Sequence, residues 1–236
     1  MQTATSLHHP SLGLIKLDAL FPRLPGDLGL ASSWGPFVQE FVVSGALPHL
    51  IVKQQLAYAN SPFAPAFGEA IQALVQGGAS AITTSCGFLV LWQQALQALS
   101  PVPVVTSSLC LLPDLLAHQE RVGVLSIDAQ SLTPLHWRGA GISTNQVDRL
   151  ALGGLAPDSH FAQSILGNQA YLDAQLAERE VVAAALRLQQ SAPHLQTLVL
   201  ECTNLPPYGA AIEAATGMRV LSLRDVPVLW AAANAQ

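Results

Sequence analysis

Apolar residues along this chain fall into two patterns, short continuous runs and longer stretches with helical spacing. The runs are LGLIKLD (12–18), ASAITTS (79–85), PVVTSS (103–108), RVGVLSI (121–127), LQTLVLE (195–201) and MRVLSL (218–223). Continuous rather than alternating hydrophobicity predicts parallel strands covered on both faces. Between them, FGEAIQALVQGG (67–78) carries apolar residues at helical spacing and ends in glycines suited to a C-cap. FLVLWQQALQALS (88–100) is a second helix, stopped by Pro101, and residues 161–190 read as two helices interrupted at Gly167. Strands alternating with helices predict an α/β fold with parallel sheets.

The pattern also repeats weakly. A helix ending at Gly77 and Gly78 leads into ASAITTSC, and a helix ending at Gln190 leads into LQTLVLEC. The two cysteines, Cys86 and Cys202, stand about half a chain apart, each just past a predicted strand. Two related lobes follow, each offering one cysteine at the carboxyl edge of a parallel sheet, where such sheets bind ligands.

Composition narrows the class. Apolar residues make up 50% of the 236 and charged residues 11%, which excludes intrinsic disorder. The net charge of −5 and the ten scattered basic residues exclude the electrostatic footprint of a nucleic-acid binder. No Asp, Glu, Lys or Arg occurs over residues 70–113, yet glutamines, threonines, glycines and prolines break every window of about 20 residues, so a membrane span is not expected. MQTATSLHHPSLG lacks the basic start and apolar core of a secretory signal, and three cysteines suit no disulfide framework; a cytoplasmic protein is expected.

Chemistry concentrates at the cysteine loops, TTSCGF (83–88) and LECTN (200–204). Cys86 precedes a predicted helix, whose N-terminal N–H groups stabilise a thiolate. Gly87 lets backbone approach a ligand closely. Cys202 is followed by a hydroxyl and an amide, Thr203 and Asn204. Two thiols on opposite sides of a small carboxylate can pass a proton across it, one removing the α-hydrogen and the other returning one. Thr84, Ser85, Thr203 and Asn204 are candidate donors to the enolate-like charge that results. Against this stands simple packing, the common fate of a buried cysteine and the reading preferred for Cys110.

The two cysteine loops resemble those of the aspartate/glutamate racemase superfamily, which includes amino-acid racemases, hydantoin racemases, maleate isomerases and arylmalonate decarboxylases. LIKLDALFPRLPGDLG (14–29) and RVGVLSIDAQSLTP (121–134) extend the resemblance over nearly the whole chain. It implies two Rossmann-like lobes related by a pseudo-two-fold, residues 1–114 plus 217–236 and residues 115–216, with the active site in the cleft between them. It also implies cofactor-independent catalysis by Cys86 and Cys202, and a homodimer whose interface no sequence feature fixes. Asp18, just after the first strand, stands where the superfamily often has an acidic residue. Gly87-Phe88 replaces the Asn-Thr that follows the first cysteine of glutamate racemases, and Asn204 replaces the acidic or histidine residue after the second Cys-Thr. Both departures point away from an ordinary glutamate or aspartate substrate.

Other residues carry two readings each. Arg23 and Asp27 either meet substrate charges or pair across a rigid Pro-Gly turn. Ser126 and Thr133 either bind a carboxylate or cap helices. His8, His9, His136 and His160 form no metal-binding spacing, and no CxxC supports zinc. No glycine motif suggests a nucleotide, and Lys16 lies inside a strand, unsuited to pyridoxal phosphate. The expected activity is a cofactor-independent racemase or epimerase of an amino acid or related small carboxylate. The rivals are a cysteine-dependent cis-trans isomerase or decarboxylase of a small dicarboxylate, and a carboxylate-binding protein without turnover.

Overall fold

A computed structural model describes residues 11–234; the His8-His9 pair and the opening residues lie outside the described residues. Two four-stranded, wholly parallel sheets form the molecule. The first comprises β1 (Ser11–Leu17), β2 (Val38–Val43), β3 (Ala79–Thr84) and β4 (Val104–Val105), in the order β2-β1-β3-β4. The second comprises β5 (Val122–Ser126), β6 (Leu150–Gly154), β7 (Thr197–Leu200) and β8 (Arg219–Leu221), in the order β6-β5-β7-β8. The orders match strand for strand, so the internal echo is a structural repeat. Cys86 follows the third strand of one sheet and Cys202 the third strand of the other.

The central strands were legible because both faces are covered: β1 is buried at six of its seven positions, and β5 and β7 are buried throughout. The sequence reading missed β2 and β6. Both are edge strands, where one side of the ladder and part of a face meet solvent. VQEFVV is interrupted by Gln39 and Glu40 and leaves Val42 exposed, and LALGG ends in two glycines, so neither forms a long continuous apolar run.

The helices fall close to expectation. Ala64–Gln76 and Gln93–Ala98 flank the first sheet, and the stretch 161–190 is two helices, His160–Leu166 and Ala174–Ser191, with Gly167 as the C-cap of the first. The return to the first lobe falls later than residue 217. Residues 219–221 pair with β7 in the second sheet, and only then does the helix Pro227–Asn234 cross back to pack on β1 and β3. There it covers Leu12, Leu14 and Ala81 with Leu229 and Ala233. A larger apolar cluster runs through both lobes without a break and includes both loop cysteines. Among the described residues, no helix is long and apolar enough to cross a membrane.

Candidate active site

Cys86 caps a 3₁₀ turn, Gly87–Trp92, in extended conformation (φ −151°). The helix expected at this point thus begins as a tight turn and becomes α-helical only at Gln93. Of the N–H groups that follow, that of Leu89 donates to the Cys86 carbonyl at 3.2 Å, and those of Phe88 and Leu89 lie near enough to the thiol to favour its ionised form. On the opposite lobe, the Cys202 thiol donates to Asn204 Oδ1 at 3.4 Å. Asn204 Nδ2 donates in turn to Asp27 Oδ2 at 2.7 Å, and Asp27 Oδ1 accepts from Arg23 Nη1 and Gly29 N, both at 2.7 Å. The FPRLPGD loop is therefore the expected salt-bridged turn, but its carboxylate also orients the amide beside the second cysteine. This chain spans 177 residues in sequence, which is why local reading could not find it.

The same loops bind the lobes together. Thr203 Oγ1 donates to the Ser85 carbonyl at 2.7 Å, Leu28 N to the Thr203 carbonyl at 3.0 Å, and Ser108 Oγ to the Leu200 carbonyl at 2.7 Å. Phe88 meets His136 edge-to-face with centroids 5.5 Å apart, and Lys53 pairs with Asp128. Burial pushes the His136 imidazole down to about 4, so it packs as a neutral ring.

Both thiols line one interlobe cavity, with about 360 Å³ of atom-free space, part of it open to solvent. Of the residues singled out from sequence, Arg23, Ser85, Gly87, Thr203 and Asn204 line it with them. Thr84, Ser126, Thr133 and Asp18 do not. Thr84 donates to the Thr106 and Cys86 carbonyls and shapes the first loop. Thr133 caps the helix Pro134–Gly139 in a capping box with His136. Asp18 accepts from Gly45 N at 2.9 Å, holding a turn. Ser126 stands behind the cavity, donating to Glu201 Oε2 at 2.8 Å. A wider surface cleft, around residues 118–121 and 191–196, lies at the amino ends of β5 and β7, away from the thiols.

Glu201 is the residue sequence reading passed over. It ends an apolar strand as its last predicted position, a place where a carboxyl is unusual, and that was the available signal. It is 1% exposed and lines the cavity between the thiol loops. Burial, assisted by the Asp128 charge, raises its carboxyl to about 8 against the Ser126 hydrogen bond. Burial likewise raises Cys86 to about 12, with Glu201 adding to the rise and the Phe88 and Leu89 N–H groups and Arg23 opposing it. Cys202 is raised well above its ordinary value by burial and then Glu201, with Asn204 N–H opposing. Burial thus favours the protonated form of each thiol. Among the described residues, no group of three or more His, Cys, Asp or Glu could hold a metal ion.

The glycine after Cys86 has a steric cause. A Cβ at position 87 would lie 2.2 Å from the Glu201 carbonyl oxygen and 2.4 Å from its Oε1. Because β7 backbone cannot retreat, Gly87→Ala is expected to destabilise the protein by about 2–3 kcal/mol. The check is a lower urea midpoint with unchanged slope.

No protein-family model matches the sequence. A curated dimethylsulfoniopropionate lyase from Durusdinium sp. clade D is 29% identical over 223 residues, covering 91% of this chain and 72% of its own. Dimethylsulfoniopropionate lyase 3 from Emiliania huxleyi is 30% identical over 224 residues, and this chain spans 56% of its length. Among solved structures, a variant of arylmalonate decarboxylase in a sulfate-associated form superposes with a TM-score of 0.59 at 18% identity, covering 94% of this chain and 91% of its own. Glutamate racemase from Francisella tularensis, with D-glutamate, superposes at 0.55 and 14% identity over 95% of this chain and 78% of its own. The chain therefore has the two-lobed fold that its cysteine loops resemble. Its relatives by sequence are lyases rather than isomerases.

Proposed function

We propose that the protein is a cofactor-independent carbon–sulfur lyase, cleaving a sulfonium-substituted propionate such as dimethylsulfoniopropionate to acrylate and dimethyl sulfide. The observation that carries this reading is the cavity wall. Two thiols and one guanidinium stand among eight apolar side chains, those of Leu17, Phe21, Pro48, Val52, Phe88, Ile127, Ile165 and Leu166. Arg23 suits the carboxylate. A dimethylsulfonium group is a cation with a hydrocarbon surface, which the aromatic and aliphatic side chains of this wall can accommodate. Of the acidic groups nearby, Asp27 is already taken by Arg23, Gly29 and Asn204, and Glu201 in the wall is raised by burial toward its neutral form.

The chemistry follows from the charges. The sulfonium supplies the positive charge that a buried thiol needs in order to ionise. Cys86, with the nearby Phe88 and Leu89 N–H groups and the Arg23 charge in its favour, is the base. Its thiolate takes the hydrogen from the carbon next to the carboxylate, and that C–H electron pair becomes the new C=C bond. The C–S bond breaks with its pair going to sulfur, so dimethyl sulfide leaves neutral and needs no acid. The proton on Cys86 is later released to water. Cys202, held as a thiol by Asn204, completes the wall.

A two-base racemase or epimerase is the second reading, favoured by the presence of both thiols in one cavity. Headspace detection separates them. The lyase reading expects dimethyl sulfide release from dimethylsulfoniopropionate. The racemase reading expects none, with α-deuteration of amino acids or hydantoins in deuterated water instead.

A further inference from the structure

Glu201 is a buried acid that the base-catalysed elimination does not by itself use. Its Oε2 accepts from Ser126 Oγ at 2.8 Å, and Ser126 Oγ accepts from Asp128 N at 3.2 Å. The single hydroxyl hydrogen of Ser126 is therefore spent on Oε2. Oε1 has no hydrogen-bond partner among the described residues, although it is fully enclosed by protein and lies over Gly87, where no side chain intervenes. A buried polar atom left this way is costly, so its position calls for an occupant.

We propose that Glu201 is a neutral carboxylic acid whose Oε1–H donates a hydrogen bond to the carboxylate of the substrate, and to the enolate-like charge that grows on it as the α-hydrogen leaves. This rests on reading the cavity as a site for a small carboxylate. The surrounding charges favour the neutral form. Asp128 approaches from the loop after β5, and Cys86 and Cys202 from the two cysteine loops. Neither nearby cation is bonded to Glu201: Arg23 Nη1 pairs with Asp27 and Lys53 with Asp128. With the proton in place, Oε2 accepts from Ser126 and Oε1 is the donor, which is the arrangement the hydrogen bonds dictate. A carboxylic acid kept neutral in an apolar site is a strong donor to a developing oxyanion. Neutrality has a second effect, since an ionised Glu201 would repel the thiolate that Cys86 must become.

The test uses acrylate as the probe, in a Cys86→Ser/Cys202→Ser background that removes both turnover and thiol ionisation. Calorimetric affinity should fall about thirtyfold between pH 6.5 and 9.5, the change in the neutral fraction of an acid titrating near 8. With Glu201→Gln added, affinity at pH 6.5 should stay within about threefold, because the amide still donates, and the pH dependence should vanish. If the glutamine variant does not fold, the pH titration of the Glu201 form decides alone. Equal affinity at both pH values overturns the proposal, as does the same pH dependence in the glutamine variant. Absence of acrylate binding overturns it as well, and dimethyl sulfide release by the native protein would then show that the lyase reading stands without it.

Discussion

Cys86→Ser is expected to reduce dimethyl sulfide release about 10³-fold, whereas Cys202→Ser is expected to keep at least about a tenth of it. The asymmetry follows from the leaving group. A sulfonium departs as a neutral thioether, so elimination requires one base and no acid. Cys86 has the N–H groups of Phe88 and Leu89 and the Arg23 charge to support a thiolate, while Cys202 spends its hydrogen on Asn204 Oδ1. A serine hydroxyl at position 86 ionises far less readily, but at position 202 it makes the same hydrogen bond. Initial rates with both purified variants, alongside unchanged urea midpoints, are the check. Equal, near-total losses in both would contradict a one-base elimination and favour proton exchange between two thiols.

The largest expected loss of stability is at Asp27, whose contacts reach beyond the turn that holds it. Its carboxylate is 3% exposed and accepts from Arg23, Gly29 N and Asn204. Asp27→Ala leaves the Arg23 guanidinium enclosed without its counter-ion, with the Asn204 amide unpaired beside Cys202. A loss of about 3–5 kcal/mol is expected. The double variant Arg23→Met/Asp27→Leu should be less destabilised than Asp27→Ala, because it removes the stranded charge rather than creating it. Urea unfolding of the three proteins tests this. A cost below about 1 kcal/mol for Asp27→Ala would show that the turn is held by its backbone instead.

What could be read from sequence divides along physical lines. Strands enclosed on both faces announce themselves as apolar runs, and a cysteine at the end of such a run is visible at once. That sufficed for β1, β3, β5 and β7, for the repeat, and for bringing Cys86 and Cys202 to one cleft. β2, interrupted by Gln39 and Glu40, and β6, ending in two glycines, lack that signature and were missed, whereas the short edge strands β4 and β8 keep it. The hydroxyl residues near the cysteines divide in a way that pattern cannot anticipate: Ser85 and Thr203 line the cavity, while Thr84 and Thr133 are spent on loop and helix ends. Glu201 sat within a run read only as a strand. Its meaning depends on Ser126, 75 residues away, and on the glycine that leaves room for its carboxyl. The reaction was least legible, because a thiol beside an α-hydrogen serves racemisation and elimination alike. What separates them is how the rest of the substrate is held, by a wall assembled from six separate segments of chain.

The central claim is that a cysteine in this cavity removes an α-hydrogen to expel a neutral sulfide. Proton NMR of the purified protein with dimethylsulfoniopropionate in deuterated water tests it most directly. The account predicts vinyl signals of acrylate and the methyl signal of dimethyl sulfide growing in equal amounts, abolished by Cys86→Ser. Intact dimethylsulfoniopropionate after prolonged incubation, with α-deuterium entering an amino acid or hydantoin under the same conditions, would contradict it.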